Sequence, residues 1–127
     1  MASTYDHDRL KSGIKLFQNQ CLMSKSKNYY AIIQSDGNFL IYVSCHFHPK
    51  NILWSSNTAG IGVAPYNLKL YEDGNLILSD AKLLTLWASN TYKNGQFPYE
   101  LIMQDDGNLV LYDINSKILW ASNTKRV

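Results

Sequence analysis

Several protein classes are excluded by what this chain has little of. Cysteine occurs only twice, at Cys21 and Cys45, in 127 residues, so no disulfide framework can substitute for a core. The opening "MASTYDHDRLKSG" has no apolar run of the kind a signal peptide needs. Together these point to free thiols in a reducing compartment and a cytoplasmic protein, with export by an unconventional route left open. No stretch approaches the roughly 18 apolar residues of a membrane-spanning helix. Charge of one sign is also missing: Lys and Arg total 12, Asp and Glu total 10, and the formal net charge is +2. The basic residues form no dense run, which excludes the electrostatic footprint of a nucleic-acid partner or of an anionic membrane. Among the residues that are present, nine Tyr and three Trp stand out for this length. They suit sheet packing or a sugar-contacting surface.

The chain repeats itself. Residues 59–91 align without a gap over 92–124. "PYNLKLYEDGNLILSD" lies over "PYELIMQDDGNLVLYD", and both copies close on "LWASNT". A looser copy spans about 25–58, with "YYAIIQSDGNFLIY" and "LWSSNT". Asp36 to Trp54 covers 18 positions where Asp73 to Trp87 and Asp106 to Trp120 cover 14, so four extra residues sit near "CHFHPKN". Each copy alternates apolar and polar residues on both sides of Asp-Gly, the signature of a hairpin. No segment carries an apolar stripe of helical period. The reading is all-β: a single domain over 1–127, with N-terminal strands within 8–24 followed by the three copies. One small sheet cannot bury its apolar face alone, whereas three about an axis can share a core. Trp54, Trp87 and Trp120 occupy equivalent positions and are expected to meet near that axis.

The stretch "IMQDDGNLVLYD" concentrates the chemistry. Successive side chains of a strand face opposite ways, so Leu101, Met103, Leu109 and Leu111 face the core. Gln104, Asp106, Asn108, Val110 and Tyr112 take the other parity, and the Asp-Gly turn folds Gln104 and Asp106 beside Asn108. Asp and Asn alone are ordinary turn residues. A Gln two positions before the Asp and a Tyr six positions after it are not explained by turn chemistry, and the pair occurs twice. A sugar hydroxyl both donates and accepts, so reading one calls for a carboxylate beside an amide.

Gln104, Asp106, Asn108, Val110 and Tyr112 match in full the Q-x-D-x-N-x-V-x-Y signature, and the chain resembles the monocot bulb-type mannose-binding lectins. Gln34, Asp36, Asn38, Leu40 and Tyr42 match with Leu for Val. In the middle copy Asp73, Asn75 and Ile77 fit, but Tyr71 stands for Gln and Ser79 for Tyr, a degenerate site. The resemblance implies a β-prism of three antiparallel sheets with pseudo-threefold symmetry and one shallow, metal-free site per copy. It implies Asp and Asn on the axial 2-hydroxyl of D-mannose, Gln on the 3-hydroxyl and Tyr on the 4-hydroxyl. Val would lie against the apolar patch around C3 and C4. Mannose-containing glycans are the implied partners. A homodimer formed by exchanging C-terminal strands, here residues 118–127, is implied as well.

Other chemistries fit poorly. "DDGN" lacks the ligand spacing and terminal Glu of a calcium loop. Cys45, His46 and His48 could contribute to a zinc site, but no fourth ligand is evident. No activated nucleophile, phosphate-cradling loop or second catalytic carboxylate is present, so neither an enzyme nor a cofactor is expected. The rival reading is a prism that serves as a protein-interaction module and has lost sugar binding, as the middle copy has begun to.

Overall fold

In the segment Asn67–Leu70, Leu68 and Leu70 are fully buried while Asn67 and Lys69 are partly exposed, the alternation of a strand with one face on a core. The same pattern recurs in Glu100–Met103, whereas Tyr30–Ile33 and Phe39–Tyr42 are buried on both faces. The computed structural model describes residues 6–126, and it holds twelve strands and no α-helix among them. They are β1 (Arg9–Lys11), β2 (Lys15–Phe17), β3 (Cys21–Met23), β4 (Tyr30–Ile33), β5 (Phe39–Tyr42) and β6 (Ile52–Ser55). β7 (Asn67–Leu70), β8 (Leu76–Ser79), β9 (Thr85–Ala88), β10 (Glu100–Met103), β11 (Leu109–Tyr112) and β12 (Ile118–Ala121) follow. A single 3-10 turn, Pro49–Asn51, precedes β6. No helix among the described residues is long and apolar enough to cross a membrane.

Three four-stranded antiparallel sheets form the prism, in the orders β1-β10-β11-β12, β2-β7-β8-β9 and β3-β4-β5-β6. Residues 30–55, 67–88 and 100–121 each supply one three-stranded meander. The N-terminal segment then gives one strand to each sheet in turn. Its central residues Leu10, Leu16 and Leu22 recur every six positions and are fully buried. Each contributes about 2 kcal/mol of apolar burial, which fastens the three edge strands to one shared core. That core joins Leu101, Met103, Leu109 and Leu111 to Phe39, Ile41, Leu68 and Leu78.

The three tryptophans meet as the equivalent positions require. Ring centroids of Trp54, Trp87 and Trp120 lie 5.5, 5.5 and 5.3 Å apart, and every pair is edge-to-face. Each ring offers its positive edge to the next ring's negative face. All three are half-buried and pack against the core cluster rather than belonging to its fully buried set.

The hairpin turns lock the sheets to one another. Gly37, Gly74 and Gly107 have φ of 91, 92 and 91°, a region that glycine alone enters freely. A Cβ at Gly37 would come within 2.8 Å of the Tyr66 ring, and one at Gly74 within 2.9 Å of Tyr99. One at Gly107 would lie 3.0 Å from Tyr29. Each turn therefore seats a tyrosine that leads into the first meander strand of a different sheet.

A buried carboxylate organises the loop that follows β8, and another follows β11. Asp80 accepts from the backbone N–H groups of Lys82, Leu84 and Val63. Asp113 accepts from Asn115, Lys117 and Gln96. Burial pushes the Asp80 carboxyl up, but its three N–H donors outweigh that and hold it below the usual carboxylate value. At Asp113 the Lys117 N–H leads the same lowering. A lowered folded-state value means both groups stabilise the fold fully above the unfolded value of about 3.9. That stability is lost as pH falls through the folded values. Urea midpoints should therefore drop between pH 7 and pH 3. The double variant Asp80→Asn with Asp113→Asn should be less stable at pH 7 and show a shallower acid limb; an unchanged limb would refute this.

Candidate functional site

The outer face of β10–β11 collects the five predicted residues 104–112. The turn between the strands is closed by the Gly107 N–H on Gln104 O (3.1 Å) and the Gln104 N–H on Asn108 O (3.0 Å). Asp106 Oδ1 accepts from the Asn108 N–H at 2.9 Å, the self-capping that suits Asp to this turn. Gln104 Nε2 donates to both Asp106 oxygens, at 3.1 and 3.2 Å. The Tyr112 hydroxyl in turn donates to Gln104 Oε1. Carboxylate, amide and phenol are thus one connected chain, and each fixes the orientation of the next.

Asn108 is oriented from beneath. Its Oδ1 accepts from the Ser122 hydroxyl and the Thr124 N–H, both at 3.2 Å. A backbone N–H can only donate, so the amide oxygen must face it. The Nδ2 makes no hydrogen bond among the described residues, while Asp106 Oδ1 caps the N–H of the same residue at 2.9 Å. The turn thus offers a carboxylate acceptor and, two residues on, an amide donor, the two kinds of group that a hydroxyl requires.

The Ser-Asn-Thr that closes each copy builds this arrangement, a role the sequence reading does not assign. Ser122 and Thr124 hydroxyls are 2.7 Å apart, and Thr124 Oγ1 donates to Gly107 O at 2.6 Å. Asn123 between them has φ of 59°, a conformation Asn tolerates better than most residues. Ser56 with Thr58 on Asn38, and Ser89 with Thr91 on Asn75, repeat the clamp. The triplet occurs three times just after a strand, which marks it in the sequence as a repeated feature without saying what it holds. A second missed device is the register shift between Leu111 and Tyr112 on the β12 side. Such irregularities re-aim a side chain, and matching shifts precede Tyr42 and Ser79.

Val110 shares the face of Gln104 and Tyr112 but is only 1% exposed. It forms the floor of the cluster, not an open patch.

The same arrangement recurs in β4–β5 with differences. Asp36 Oδ1 caps the Asn38 N–H at 2.9 Å, and Asn38 Oδ1 is clamped by Ser55, Ser56 and Thr58. Gln34 Nε2 donates to the Tyr42 hydroxyl at 2.7 Å. Leu40 is buried like Val110, but Tyr42 is also buried, at 3% exposure, where Tyr112 is partly exposed.

In β7–β8 the turn survives and the ends do not. Asp73 caps the Asn75 N–H at 2.9 Å, and Asn75 Oδ1 accepts from Ser89 and Thr91. Ile77 is half-buried. Tyr71 carries the Lys69 ammonium 4.6 Å above its ring centroid, a cation–π contact over the position where the other copies hold an amide. Ser79 is buried and offers no phenol.

No group of three or more His, Cys, Asp or Glu able to hold a metal occurs among the described residues. His48 Nδ1 accepts from the Lys50 N–H at 3.2 Å, which occupies one of its nitrogens. Cys21 and Cys45 are free thiols.

No family model matches the chain. Its architecture is similar to that of a monomeric monocot mannose-binding lectin from Gastrodia elata, with 34% identity and a TM-score of 0.80. That similarity covers 93% of this chain and 98% of the other. The mannose-specific agglutinin of snowdrop (Galanthus nivalis), complexed with methyl-α-D-mannoside, has 30% identity and a TM-score of 0.72 over 94% and 99% of the two chains. A protein of Acanthamoeba polyphaga mimivirus bearing the name "Putative lectin" is 41% identical over 68 residues. Those residues are 52% of this chain and 31% of the viral protein, so the match spans under a third of that relative's length.

Proposed function

The chain belongs to the monocot mannose-binding lectin family, and from that premise we propose that it is a non-catalytic lectin for mannose-containing glycans. The observation that carries the reading is the linked cluster Gln104–Asp106–Asn108–Tyr112, in which the Asn108 Nδ2 makes no hydrogen bond among the described residues. In this reading Asp106 and Asn108 bind the axial 2-hydroxyl of mannose, Gln104 the 3-hydroxyl and Tyr112 the 4-hydroxyl, over a floor made by Val110. Gln34, Asp36, Asn38, Leu40 and Tyr42 form the second complete set. Asp73, Asn75 and Ile77 remain as a degenerate third, within one lectin domain over 1–127. Glucose, with an equatorial 2-hydroxyl, would leave the paired acceptor and donor unmatched, and such a loss is costly.

Four or five hydrogen bonds on a shallow face contribute a net ~0.5–1.5 kcal/mol each. They must also offset the freedom lost on binding, so monosaccharide affinity should be on the order of millimolar. Useful avidity then comes from several sites on one glycan surface. A glycan array followed by competition with free mannose tests the function. Selective retention of mannose-terminated glycans, displaced by mannose and not by glucose, is the expected result. Retention of none would favour the interaction-module reading.

The middle set should be weak because two of its contacts are missing. Loss of about 1 kcal/mol at each of two positions lowers affinity tenfold or more. The double substitution Tyr71→Gln with Ser79→Tyr should therefore add one mannoside site per chain in calorimetric titration. An unmodified middle set as strong as the one at 104–112 would show that Gln and Tyr are dispensable.

The homodimer by exchange of residues 118–127 is retained as a proposal; Val127 lies outside the described residues. β12 pairs with β11 of its own chain, so exchange would replace this pairing by the same pairing with a second copy. Light scattering at tens of micromolar should give the dimer mass, and a monomer would overturn the proposal.

A further inference from the structure

The four-residue excess of the first copy has a consequence at its own site. After β11 the chain turns at once around Asp113. After β5 that aspartate is replaced by Val43, and the chain runs through Ser44–His48 before the turn Pro49–Asn51. Phe47 lies in this excursion. Its ring packs on Tyr42 with centroids 4.8 Å apart and planes 31° from parallel, and it meets Tyr30 edge-on at 5.7 Å. Tyr42, Leu40 and Ile32 form a small apolar cluster of their own on this outer face, with Cys21 against it.

The excursion is held in place by its own hydrogen bonds. The Val43 N–H donates to Asn51 O at 2.9 Å, and the His46 N–H to Ser44 Oγ at 3.0 Å. Asn51 Nδ2 donates to His46 O at 2.9 Å. Phe47 itself is 40% exposed, so one side rests on Tyr42 and the other faces solvent. In β11, with no such excursion, Tyr112 is partly exposed and its hydroxyl donates to Gln104 Oε1.

We propose that Phe47 is a specificity-determining residue that covers Tyr42 and withholds its hydroxyl, so that a simple mannoside binds the Gln34–Tyr42 set more weakly than the Gln104–Tyr112 set. The inference rests on the lectin reading above, and it makes two sites with the same signature inequivalent. Losing the Tyr contact alone corresponds to a deficit of about fivefold. Steric obstruction of the ring acts in the same direction.

The test is a titration of the intact chain with methyl-α-D-mannoside, followed site by site through the side-chain amide NMR signals of Gln34 and Asn38 against Gln104 and Asn108. The latter pair should saturate in the millimolar range, and the former should lag by about tenfold. Phe47→Ala should bring Gln34 and Asn38 to within about threefold of the other pair, while Phe47→Tyr, which keeps the ring, should leave the lag in place. The unchanged response of Gln104 and Asn108 reports that each variant is folded. Phe47→Leu supplies the comparison if the alanine variant does not fold. Equal affinity of the two pairs in the unmodified protein, or no gain on removing the ring, overturns the inference and leaves the lectin reading intact. Silence at Gln104 and Asn108 overturns both.

Discussion

Trp120→Ala is expected to lower folding stability by about 3 kcal/mol while sugar affinity at the Gln104 cluster stays within about twofold of the unmodified protein. Removing a large aromatic from a core costs about 3–5 kcal/mol. The half-burial of Trp120 places it at the low end of that range. Two edge-to-face contacts are lost as well, to Trp54 at 5.5 Å and to Trp87 at 5.3 Å. Their neighbours cannot close the gap, because each ring is tied to its own strand: Trp120 sits opposite Leu111, and Trp54 opposite Ile41. The Gln104 cluster lies on the other face of β10–β11, so the variant that remains folded should still bind. Urea denaturation and a mannoside titration of the same sample check both parts. A normally stable variant with no binding would mean that the tryptophans, not the polar clusters, hold the ligand.

Asp106→Asn should abolish measurable mannoside binding at the 104–112 site with little change in stability. An asparagine oxygen can still cap the Asn108 N–H, so the turn is kept. What it cannot do is accept from Gln104 Nε2 with its second position, which is now an NH2 group. The remaining oxygen can still accept from Gln104 Nε2, so one of the two bonds that hold this amide is lost. The chain of orientation from carboxylate to phenol is loosened, and the charge that the proposed reading sets against the 2-hydroxyl is gone. Hydrogen bonds to charged groups contribute about 1.5–3 kcal/mol. Their loss moves a millimolar site by tenfold or more, out of the range of titration. Retained affinity with an unchanged melting curve would remove Asp106 from the binding set.

Much of this molecule follows from local sequence because the controlling interactions are local. The alternation around Asp36-Gly37, Asp73-Gly74 and Asp106-Gly107 dictates hairpins, since the side-chain period of a strand is two and only glycine takes φ near +90° without strain. The same alternation sends Leu101, Met103, Leu109 and Leu111 inward, all fully buried. The spacing of Trp54, Trp87 and Trp120 puts one indole on each third strand, and the hydrophobic effect then gathers them. The family signature at 104–112 is carried by one hairpin, so it is readable as a string.

Tertiary structure decided whatever depends on residues distant along the chain. Nothing local tells Leu10, Leu16 and Leu22 to enter three different sheets; each edge is chosen because it is the one left unpaired. Nothing in "SNT" announces a clamp on an asparagine 14 to 20 positions earlier. Tyr66, Tyr99 and Tyr29 read as ordinary core aromatics until the fold sets them on Gly37, Gly74 and Gly107. The two complete signatures read alike along the chain. They differ in space because four residues after Tyr42 give Phe47 the length to fold back onto it. The sequence alone determined which groups could bind, because donors and acceptors are a property of residue type. Only packing decided which of them water and a sugar can reach.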